Sequence, residues 1–360
     1  MNIQLPLVIK KDFSYQIQTG KGIFKNLKNF VEKNLYSDKV IIITDSNVFN
    51  FYEQKIKAEL IKGSTNYYIL TIPSGEKSKS QKIRDKLENE IISLKPSRET
   101  ILIAIGGGVV GDITGFLASI VLRGIRYVQV PTSVIAQVDS SIGGKTGINT
   151  RHSKNLIGTF HHPSFVLVDT EFLKTLPDDE FFNGVAEILK SMLIGSKEGF
   201  EFLEKNVDNL MNRDEKVLNK LIEESIKVKV NVVKKDPDEK NLRKILNFGH
   251  TIGHAIESLS NYKLKHGFAV AEGIIVESYL SFLVNGLSEV DLLRIQYIVD
   301  KLNLDKNERR KFSFKKVFEK MSYDKKRINN QITFSLLNKI GNCSYNVIVK
   351  EELIELAYNH

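Results

Sequence analysis

A single cysteine, Cys343, is present among the 360 residues. One cysteine excludes an intrachain disulfide, and it excludes the cysteine clusters that hold metals in many small domains. A reducing compartment is consistent with this count. A metal site in this chain would have to use other ligands.

Long apolar runs are also missing from the sequence. No segment approaches the roughly 20 apolar residues of a membrane span. The amino-terminal stretch MNIQLPLVIKKD lacks the apolar centre and the small-residue cleavage site of a secretion signal. We therefore expect a soluble, cytoplasmic protein with no membrane partner.

The charge balance is basic, with 52 Lys and Arg residues against 43 Asp and Glu residues and a formal net charge of +9. Such a balance suits a nucleic acid, a phosphorylated substrate or a lysine-rich surface. No zinc finger, RNA-binding aromatic pair or basic recognition helix accompanies it, so we expect no nucleic-acid partner. Basic residues alternate with apolar ones at helical spacing, which predicts solvated helix faces. They include Lys77, Lys79, Lys82, Arg84 and Lys86, and Arg309, Arg310, Lys311, Lys315 and Lys316.

Short β-rich apolar runs alternate with helical patterns in the first half of the chain, whereas helical patterns dominate the second half. This order predicts a mainly parallel sheet with helices on its faces. We expect an α/β, Rossmann-like NAD-binding domain over residues 1–177 and a mainly α-helical metal- and substrate-binding domain over residues 178–360. The predicted strands are Val40–Thr44, Tyr67–Ile72, Thr100–Ile105, Tyr127–Val130 and Phe165–Val168, with an antiparallel edge pair at Leu5–Lys10 and Ser14–Gln18 and a late strand at Ile332–Leu337.

Glycines follow the predicted strand that ends at Ile105. Gly106, Gly108 and Gly111 have the G-x-G-x-x-G spacing at a strand-to-helix turn, where backbone N–H groups can bind phosphate. The pattern predicts a dinucleotide site, although a tight turn by itself also favours glycine. No acidic residue ends the next strand, where the ribose is usually held, so Asp45 at the end of an earlier strand is the candidate for that contact.

His250 and His254 lie four residues apart, so they share one face of a helix. His266 follows them, and Glu187 lies in an upstream helical pattern. Three imidazoles and a carboxylate suit zinc or a similar divalent ion, with one position open for catalysis. A single histidine is more often a cap or a core residue, and the spacing does not decide which three groups bind the metal.

A polar, glycine-rich segment covers residues 139–149 and is too polar for us to expect a core element there. Its cation Lys145, together with Lys154, Lys190 and Arg243, predicts an anion pocket beside the metal. Charge-assisted hydrogen bonds from such cations bind phosphate and carboxylate oxygens. Each of these lysines taken singly is more typical of a solvated surface.

Five blocks together resemble the 3-dehydroquinate synthases, within the sugar phosphate cyclases. They occur in the family's order, and their joint match is highly specific. The blocks are IGGGVVGD (Ile105–Asp112), VPTSVIAQVDSSIGGKTGIN (Val130–Asn149), KNLIGTFHHP (Lys154–Pro163), GVAEILK (Gly184–Lys190) and LNFGHTIGHAIE (Leu246–Glu257) with the later His266 and Gly267.

The resemblance implies a metal site, a substrate site and a cofactor site. Glu187, His250 and His266 would bind one divalent metal, zinc or cobalt, while His254 would face the substrate. Substrate contacts or catalytic roles would fall on Lys145, Lys154, Asn155, Lys190, Glu239, Arg243, Asn247, Asp139 and Arg123, the last at the phosphate end and donated across a homodimer interface. NAD contacts would fall on Asp45, Asn47, Ser74, Gly75, Glu76, Lys77, Lys79, Gly107, Gly108, Val109, Val110, Gly111, Asp112, Thr132, Ser133, Asp139, Lys145, Lys154, Phe172 and Thr175.

The activity implied by the resemblance is that of a carbon–oxygen lyase (EC 4.2.3.4) of the shikimate pathway of aromatic amino acid biosynthesis. In that family 3-deoxy-D-arabino-heptulosonate 7-phosphate is oxidised at C4 by NAD, loses phosphate, is reduced again and closes by an intramolecular aldol step. Two alternatives are another sugar phosphate cyclase and a metal-dependent polyol dehydrogenase, which would release NADH. The anion pocket argues against a neutral polyol.

Four positions depart from the family pattern. Because neighbouring site residues keep their places, we expect local changes of geometry there and no change of reaction. The departures are Pro237 in place of a glutamate, Asn241 in place of a glycine, His162 in place of a glutamine and Asp179 in place of an arginine.

Overall fold

Six parallel strands form the central sheet of the computed structural model, which describes residues 14–63, 66–150, 153–323, 327–328 and 331–360. The strands of these residues are β1 (Gln16–Gly20), β2 (Val40–Asp45), β3 (Tyr67–Ile72), β4 (Ile101–Gly106), β5 (Arg126–Pro131), β6 (Lys145–Ile148), β7 (Ile157–Phe160), β8 (Phe165–Asp169), β9 (Arg327–Ile328), β10 (Gln331–Lys339) and β11 (Asn342–Ile348). The parallel sheet has the order β1-β8-β5-β4-β2-β3, while β6-β7 and β11-β10-β9 form antiparallel sheets.

Helices cover both faces of the parallel sheet and make up most of the second half. They are α1 (Leu27–Asn34), α2 (Ser46–Ile56), α3 (Gln81–Ser93), α4 (Gly108–Ile120), α5 (Asp178–Gly195), α6 (Lys197–Lys205), α7 (Val207–Met211), α8 (Glu215–Lys235), α9 (His250–Leu259), α10 (His266–Val284), α11 (Glu289–Lys301), α12 (Phe314–Tyr323) and α13 (Glu351–Asn359). Alternate residues of β2 face opposite layers, so Val40 and Ile42 pack with α1 and α2, while Ile41 and Ile43 pack with α3 and α4. Burial on both faces explains why the strands are apolar throughout.

The parallel sheet predicted from the sequence is confirmed, because β2, β3, β4, β5 and β8 begin and end within one residue of the predicted strands. The late strand prediction is confirmed by β10. At the edge, β1 pairs in parallel with β8, with Gln16 opposite Phe165. Its expected antiparallel partner, Leu5–Lys10, lies outside the described residues.

The expectation that residues 139–149 form no core element is wrong. Within them β6 pairs with β7 and packs against α4, so Thr146 and Ile148 are buried. Gly147 serves strand pairing here, because a β-carbon on it would lie 2.5 Å from the backbone oxygen of Ile157 on β7. Solvated faces were also predicted for all the basic runs, yet Lys79 and Arg309 are each only 5% exposed.

The largest core packs α5, α8, α9, α10 and α11 together and extends to Val166 and Val168 of β8. The helical half therefore shares a core with the sheet of the other half. Helix α10 is long and apolar enough to cross a membrane by length and composition, but 78% of the window that meets this test is buried inside the protein. A helix that is buried on nearly all sides needs no polar face.

Glycines allow α9 and α10 to cross with their backbones in contact. A β-carbon at Gly273 of α10 would overlap the carbonyl oxygen of Gly249, and one at Gly253 of α9 would lie 2.8 Å from the carbonyl oxygen of Ala269. Gly249 itself has φ 78°, a left-handed conformation that favours glycine. The crossing places His250 next to the start of α10.

Replacing Gly273 with alanine should therefore separate α9 from α10. We expect a loss of roughly 1–3 kcal/mol in the free energy of unfolding, as for other overpacked cores, measured by urea denaturation. Val284→Ala, at an exposed position of the same helix, serves as the control and should change stability by less than about 0.5 kcal/mol. Equal stability of G273A and the parent would contradict the close crossing.

Candidate active site

A cavity of about 1110 Å³ lies along the carboxyl edge of the parallel sheet, facing the helical half. It exceeds the roughly 300–1,000 Å³ of a typical small-molecule pocket. Its walls include the turn after β4 and the ends of the flanking strands, where α/β proteins commonly bind nucleotides. Seventeen of the predicted cofactor contacts line it: Asp45, Asn47, Ser74, Gly75, Glu76, Lys79, Gly107, Gly108, Val109, Val110, Asp112, Thr132, Ser133, Asp139, Lys154, Phe172 and Thr175.

Three further predicted cofactor contacts do not line this cavity. Lys77 is exposed on the short helical turn after β3, and Lys145 is engaged elsewhere by an ion pair with Glu239. Gly111 faces β5, where a β-carbon would lie 2.5 Å from Gln129 Oε1. Its role is therefore the close packing of α4 on the sheet. The cofactor contacts of all twenty residues stay predictions.

The glycine turn leads directly into α4, whose N-cap residue is Gly107. Gly107 has no side chain to cap the helix, which suits binding of a phosphate by the first backbone N–H groups. Asp45 does cap α2, because one of its carboxylate oxygens accepts hydrogen bonds from the backbone N–H groups of Asn47 and Val48. Its other oxygen is compatible with the ribose contact that the sequence suggested.

Lys79 joins the glycine turn to the neighbouring hairpin. Its ammonium group pairs with the carboxylate of Asp112 on α4 at 2.5 Å and donates to the side chain of Asn155. Asn155 has φ 53°, and its backbone N–H donates to Asn149 at 3.0 Å. The predicted residues Lys79, Asp112 and Asn155 thus form one connected group at the cavity wall.

A buried carboxylate, Glu187 of α5, faces two imidazoles. Its Oε1 atom lies 3.4 Å from His250 Nε2 and 3.3 Å from His266 Nε2, while Oε2 lies 2.5 Å from Lys190 Nζ. Among the described residues, neither oxygen completes a hydrogen bond of good geometry. A ring nitrogen of His254 also lies within 4.8 Å of those of His250 and His266. The donor set therefore fits a divalent metal.

The charges around Glu187 also favour a cation. Burial would raise the pKa of Glu187, but the charge of Lys190 and the contacts with His250 and His266 hold it well below its usual value. Burial lowers the pKa of His250 to about 3, so its neutral ring can offer a lone pair. For His266 burial would lower the pKa, but contacts with Glu187 and Glu257 raise it to about 10. Two carboxylates thus favour positive charge at this point.

Beside the metal-site group lies a buried cluster around Asp139. Lys229 of α8 donates to both the backbone and the side chain of Asp139, and Lys190 Nζ lies 3.8 Å from the same carboxylate. Burial would raise the pKa of Asp139, but Lys229 and Lys190 lower it to about 2. Burial lowers the pKa of Lys229 to about 8. Lys190 is shared between Asp139 and Glu187, so two cations stand beside two carboxylates here.

A second polar group contains Lys145, Glu239, Arg243 and Asn247. Lys145 forms an ion pair with Glu239, which also accepts a hydrogen bond from Asn247 at 3.3 Å. Arg243 is only 2% exposed and donates to the backbone oxygen of Gly143 at 3.0 Å. Every substrate residue predicted in the chain's own cleft therefore belongs to this group, to the Asp139 cluster or to the cavity wall.

Arg123 lies apart from these groups. It is exposed after α4 in a left-handed conformation, with φ 65°, next to Leu122 with φ 49°. It does not line the cavity of its own chain. Its predicted role at the phosphate end is therefore compatible only with a contribution to another copy.

The four departures from the family pattern are accommodated locally. The backbone oxygen of Pro237 accepts a hydrogen bond from Arg243 at 2.5 Å, so its side chain is not needed for that contact. Asn241 has φ −138°, which does not require glycine. His162 packs against Tyr15, with ring centroids 5.9 Å apart, and exposed Asp179 lies 3.6 Å from Lys265 Nζ.

Three buried residues of the site had no assigned role in the sequence analysis: Lys229, Glu257 and Glu277. Lys229 lies three residues after Ile226 and four before Val233, both buried on α8, so a lysine at a core spacing is the signal that could have indicated it. Glu277 accepts hydrogen bonds from the backbone N–H groups of Gly249 at 2.7 Å and Thr251 at 3.0 Å. It thereby caps α9, which has no cap from its own N-cap residue.

The chain is similar to known proteins over nearly its whole length. A family model described as "3-dehydroquinate synthase N-terminal" matches residues 69–183, and one described as "3-dehydroquinate synthase C-terminal" matches residues 184–327. The 3-dehydroquinate synthase of Dictyoglomus thermophilum is 41% identical over 92% of this chain and 91% of its own. That of Thermoanaerobacter pseudethanolicus is 38% identical over 96% and 97%.

The chain belongs to the 3-dehydroquinate synthase family. The identification made from the five sequence blocks is confirmed, as is the enzyme class. Among solved structures, 2-epi-5-epi-valiolone synthase from Streptomyces hygroscopicus subsp. jinggangensis, with NAD+ and Zn2+ bound, has a TM-score of 0.88 at 26% identity and covers 98% of both chains. A 2-deoxy-scyllo-inosose synthase complexed with carbaglucose-6-phosphate, NAD+ and Co2+ has a TM-score of 0.83 at 26% identity, covering 96% of both chains.

More distant structures share the fold alone. A maleylacetate reductase from Agrobacterium tumefaciens has a TM-score of 0.68 at 10% identity and covers 99% of this chain. The fold class expected for a 3-dehydroquinate synthase, a Rossmann-like half followed by a helical half, is therefore confirmed.

Glu277→Gln should weaken metal binding through α9. Glutamine places an N–H donor where backbone N–H groups need an acceptor, so we expect a loss of about 1–3 kcal/mol in unfolding free energy. Because α9 carries His250, metal affinity should also fall by roughly 10–100-fold, as for other outer-shell changes. Competition with a chelator measures the metal affinity.

Glu272→Gln is the matched control for this experiment. Glu272 is also a buried carboxylate of α10 and accepts hydrogen bonds from the backbone N–H groups of Glu308 and Arg309, away from the histidines. It should lower stability by a similar amount and leave metal affinity unchanged. Equal metal affinities of E277Q and E272Q would contradict the positioning role of Glu277.

Proposed function

We propose that this chain converts 3-deoxy-D-arabino-heptulosonate 7-phosphate to 3-dehydroquinate and phosphate with the residues of the cavity described above. The observation that carries the proposal is one shared cavity. His254 and His266 line it from the helical half, while Gly107 and Gly108 line it from the glycine turn. A substrate in this space can therefore contact a metal and a dinucleotide together.

Glu187, His250 and His266 would hold the metal, because a buried carboxylate lies within 3.4 Å of one nitrogen of each ring. The glycine turn before α4 would hold the NAD pyrophosphate. When bound, NAD supplies reversible oxidation of the substrate carbinol and the divalent ion supplies Lewis-acid polarisation of substrate hydroxyls. In this assignment His254 would contact the substrate and not the metal.

The protein's own residues would bind and orient an anionic, flexible substrate. Lys190 and Lys229 offer two buried cations beside the metal, and Arg243 lies buried in the neighbouring group. Charge-assisted hydrogen bonds from such cations to carboxylate oxygens are stronger than those between neutral groups. Holding one end of the substrate in this way favours the conformations that eliminate phosphate and then close the ring.

The test is an assay of the purified protein with NAD, a divalent metal and 3-deoxy-D-arabino-heptulosonate 7-phosphate. Phosphate and 3-dehydroquinate should appear in equal amounts, and absorbance of NADH should not accumulate, because the reaction is redox-neutral. Accumulating NADH would indicate a dehydrogenase instead. Absence of turnover here, with phosphate released from a different sugar phosphate, would indicate another sugar phosphate cyclase.

We also propose that the chain works as a homodimer in the cytoplasm, without nucleic-acid or membrane partners. An apolar patch formed by Ile120, Leu122 and Ile157 supports the dimer, since these side chains are 38%, 44% and 48% exposed. The hydroxyl of Thr159 donates to that of Ser119 at 2.9 Å, so β7 lies beside the end of α4. Pairing of copies at this patch would bring Arg123 to a partner.

Ile157→Asp should weaken this dimer, because a charge would be buried at the interface. We expect a shift toward monomer in sedimentation velocity at equal protein concentration, accompanied by lower activity when Arg123 leaves the partner's site. Tyr36→Asp, at a residue that is 74% exposed elsewhere on the chain, is the control and should sediment like the parent. A dimer of unchanged strength in I157D would contradict the proposed interface.

A further inference from the structure

Glu257 occupies a position between the metal-site histidines and the cofactor side of the cavity. It lies on α9, three residues after His254, and is 4% exposed. One oxygen, Oε2, lies 3.2 Å from His266 Nδ1, and the other, Oε1, accepts a hydrogen bond from Lys154 Nζ at 2.6 Å. Both oxygens are therefore engaged, each toward a different part of the site.

The contact with His266 fixes which ring nitrogen carries the proton. An ionised carboxylate can only accept hydrogen bonds, so His266 Nδ1 must donate, and Nε2 is the nitrogen that the neutral ring would offer to a metal. His266 Nε2 is the atom that faces Glu187 Oε1. His250 is arranged in the same way, because its Nδ1 lies 3.0 Å from the backbone oxygen of Phe248 and its Nε2 faces Glu187.

The contact with Lys154 reaches across the cleft. Lys154 comes from the segment between β6 and β7 in the first half of the chain, whereas Glu257 belongs to the helical half. The ammonium group of Lys154 also lies 4.4 Å from the ring centroid of Tyr262, which lines the cavity. Glu257 and Tyr262 of the helical half thus both contact Lys154, which belongs to the Rossmann-like half.

We propose that Glu257 is a positioning residue that couples the two halves of the site, orienting His266 for metal binding while holding Lys154 beside the cofactor and the substrate. The proposal rests on the proposed function for the identity of the ligands. The contacts of Glu257 with His266 and Lys154 do not depend on which substrate is bound. Outer-shell carboxylates commonly fix the orientation of metal-binding histidines, and here the same carboxylate also reaches a lysine from the opposite wall.

Glu257→Gln keeps the size of the side chain and removes its charge. With one N–H₂ end, glutamine cannot accept from both His266 and Lys154. We expect metal affinity to fall by about 10–100-fold in chelator competition without substrate, and the visible spectrum of the Co2+ form to change. At saturating metal kcat should still be lower than in the parent, because Lys154 is no longer held.

Two further variants test the contact of Glu257 with Lys154 separately from its contact with His266. Lys154→Met should lower kcat while metal affinity stays within about threefold of the parent, because the contact of Glu257 with His266 remains. Glu272→Gln, the remote buried carboxylate, should change neither metal affinity nor the Co2+ spectrum. Parental metal affinity and spectrum in E257Q would overturn the proposal, even if its thermal stability fell.

Nitrogen NMR of histidine-labelled parent protein tests the same point if E257Q does not fold. In the metal-loaded protein, His266 should be protonated at Nδ1 and bound to metal through Nε2. The opposite tautomer would overturn the proposal. This measurement and the chelator competition need no substrate. They can therefore contradict the role of Glu257 even when the lyase assay shows turnover. A parent protein that bound no divalent metal would instead overturn the proposed function.

Discussion

The carboxylate of Glu187 is the charge on which the arrangement of the helical half depends. It is 1% exposed, and an anion buried to this degree needs cations or strong donors around it. Lys190, one turn further along α5, supplies one positive charge at 2.5 Å. His250 and His266 supply the remaining contacts, and they come from two other helices. Three helices must therefore meet at one point.

That meeting is possible only because α9 and α10 approach without side chains between them. Gly253 and Gly273 provide the close crossing, and Glu277 from within α10 caps the start of α9. The metal-site residues are thus placed by backbone contacts and by a buried hydrogen-bonded cap. Such placement keeps the ring nitrogens in position without help from a flexible loop.

The two halves of the chain contribute different chemistry to one cavity. The sheet edge offers backbone N–H groups at the glycine turn, which suit the phosphates of a dinucleotide. The helical half offers histidines, carboxylates and buried lysines, which suit a metal and an anionic sugar. A reaction that oxidises, eliminates and reduces the same substrate needs both sets within reach of it. The ion pair of Lys154 with Glu257 joins the two walls directly.

The parallel sheet and the histidine pair of α9 were predictable because their patterns are local, whereas the metal-site set as a whole came only from the family resemblance. Apolar runs such as Ile41–Ile43 indicate buried strands, and His250 and His254 show helical spacing within one segment. Partners separated by long stretches of chain were not predictable from spacing. Lys229 meets Asp139 across 90 residues, and Glu277 meets Gly249 across 28. The strand β6 was missed because the polarity of its segment argued against a core element, whereas its one glycine, Gly147, serves close pairing with β7.

The most direct test of this account is the position of the metal itself. Crystals grown with zinc should give an anomalous scattering peak about 2.0–2.2 Å from a Glu187 oxygen, His250 Nε2 and His266 Nε2, which is the usual range for zinc with such ligands. His254 should stand outside the ligand set, facing the open position. A peak bound by His254 with Glu187 left out would contradict the central role given to the buried carboxylate.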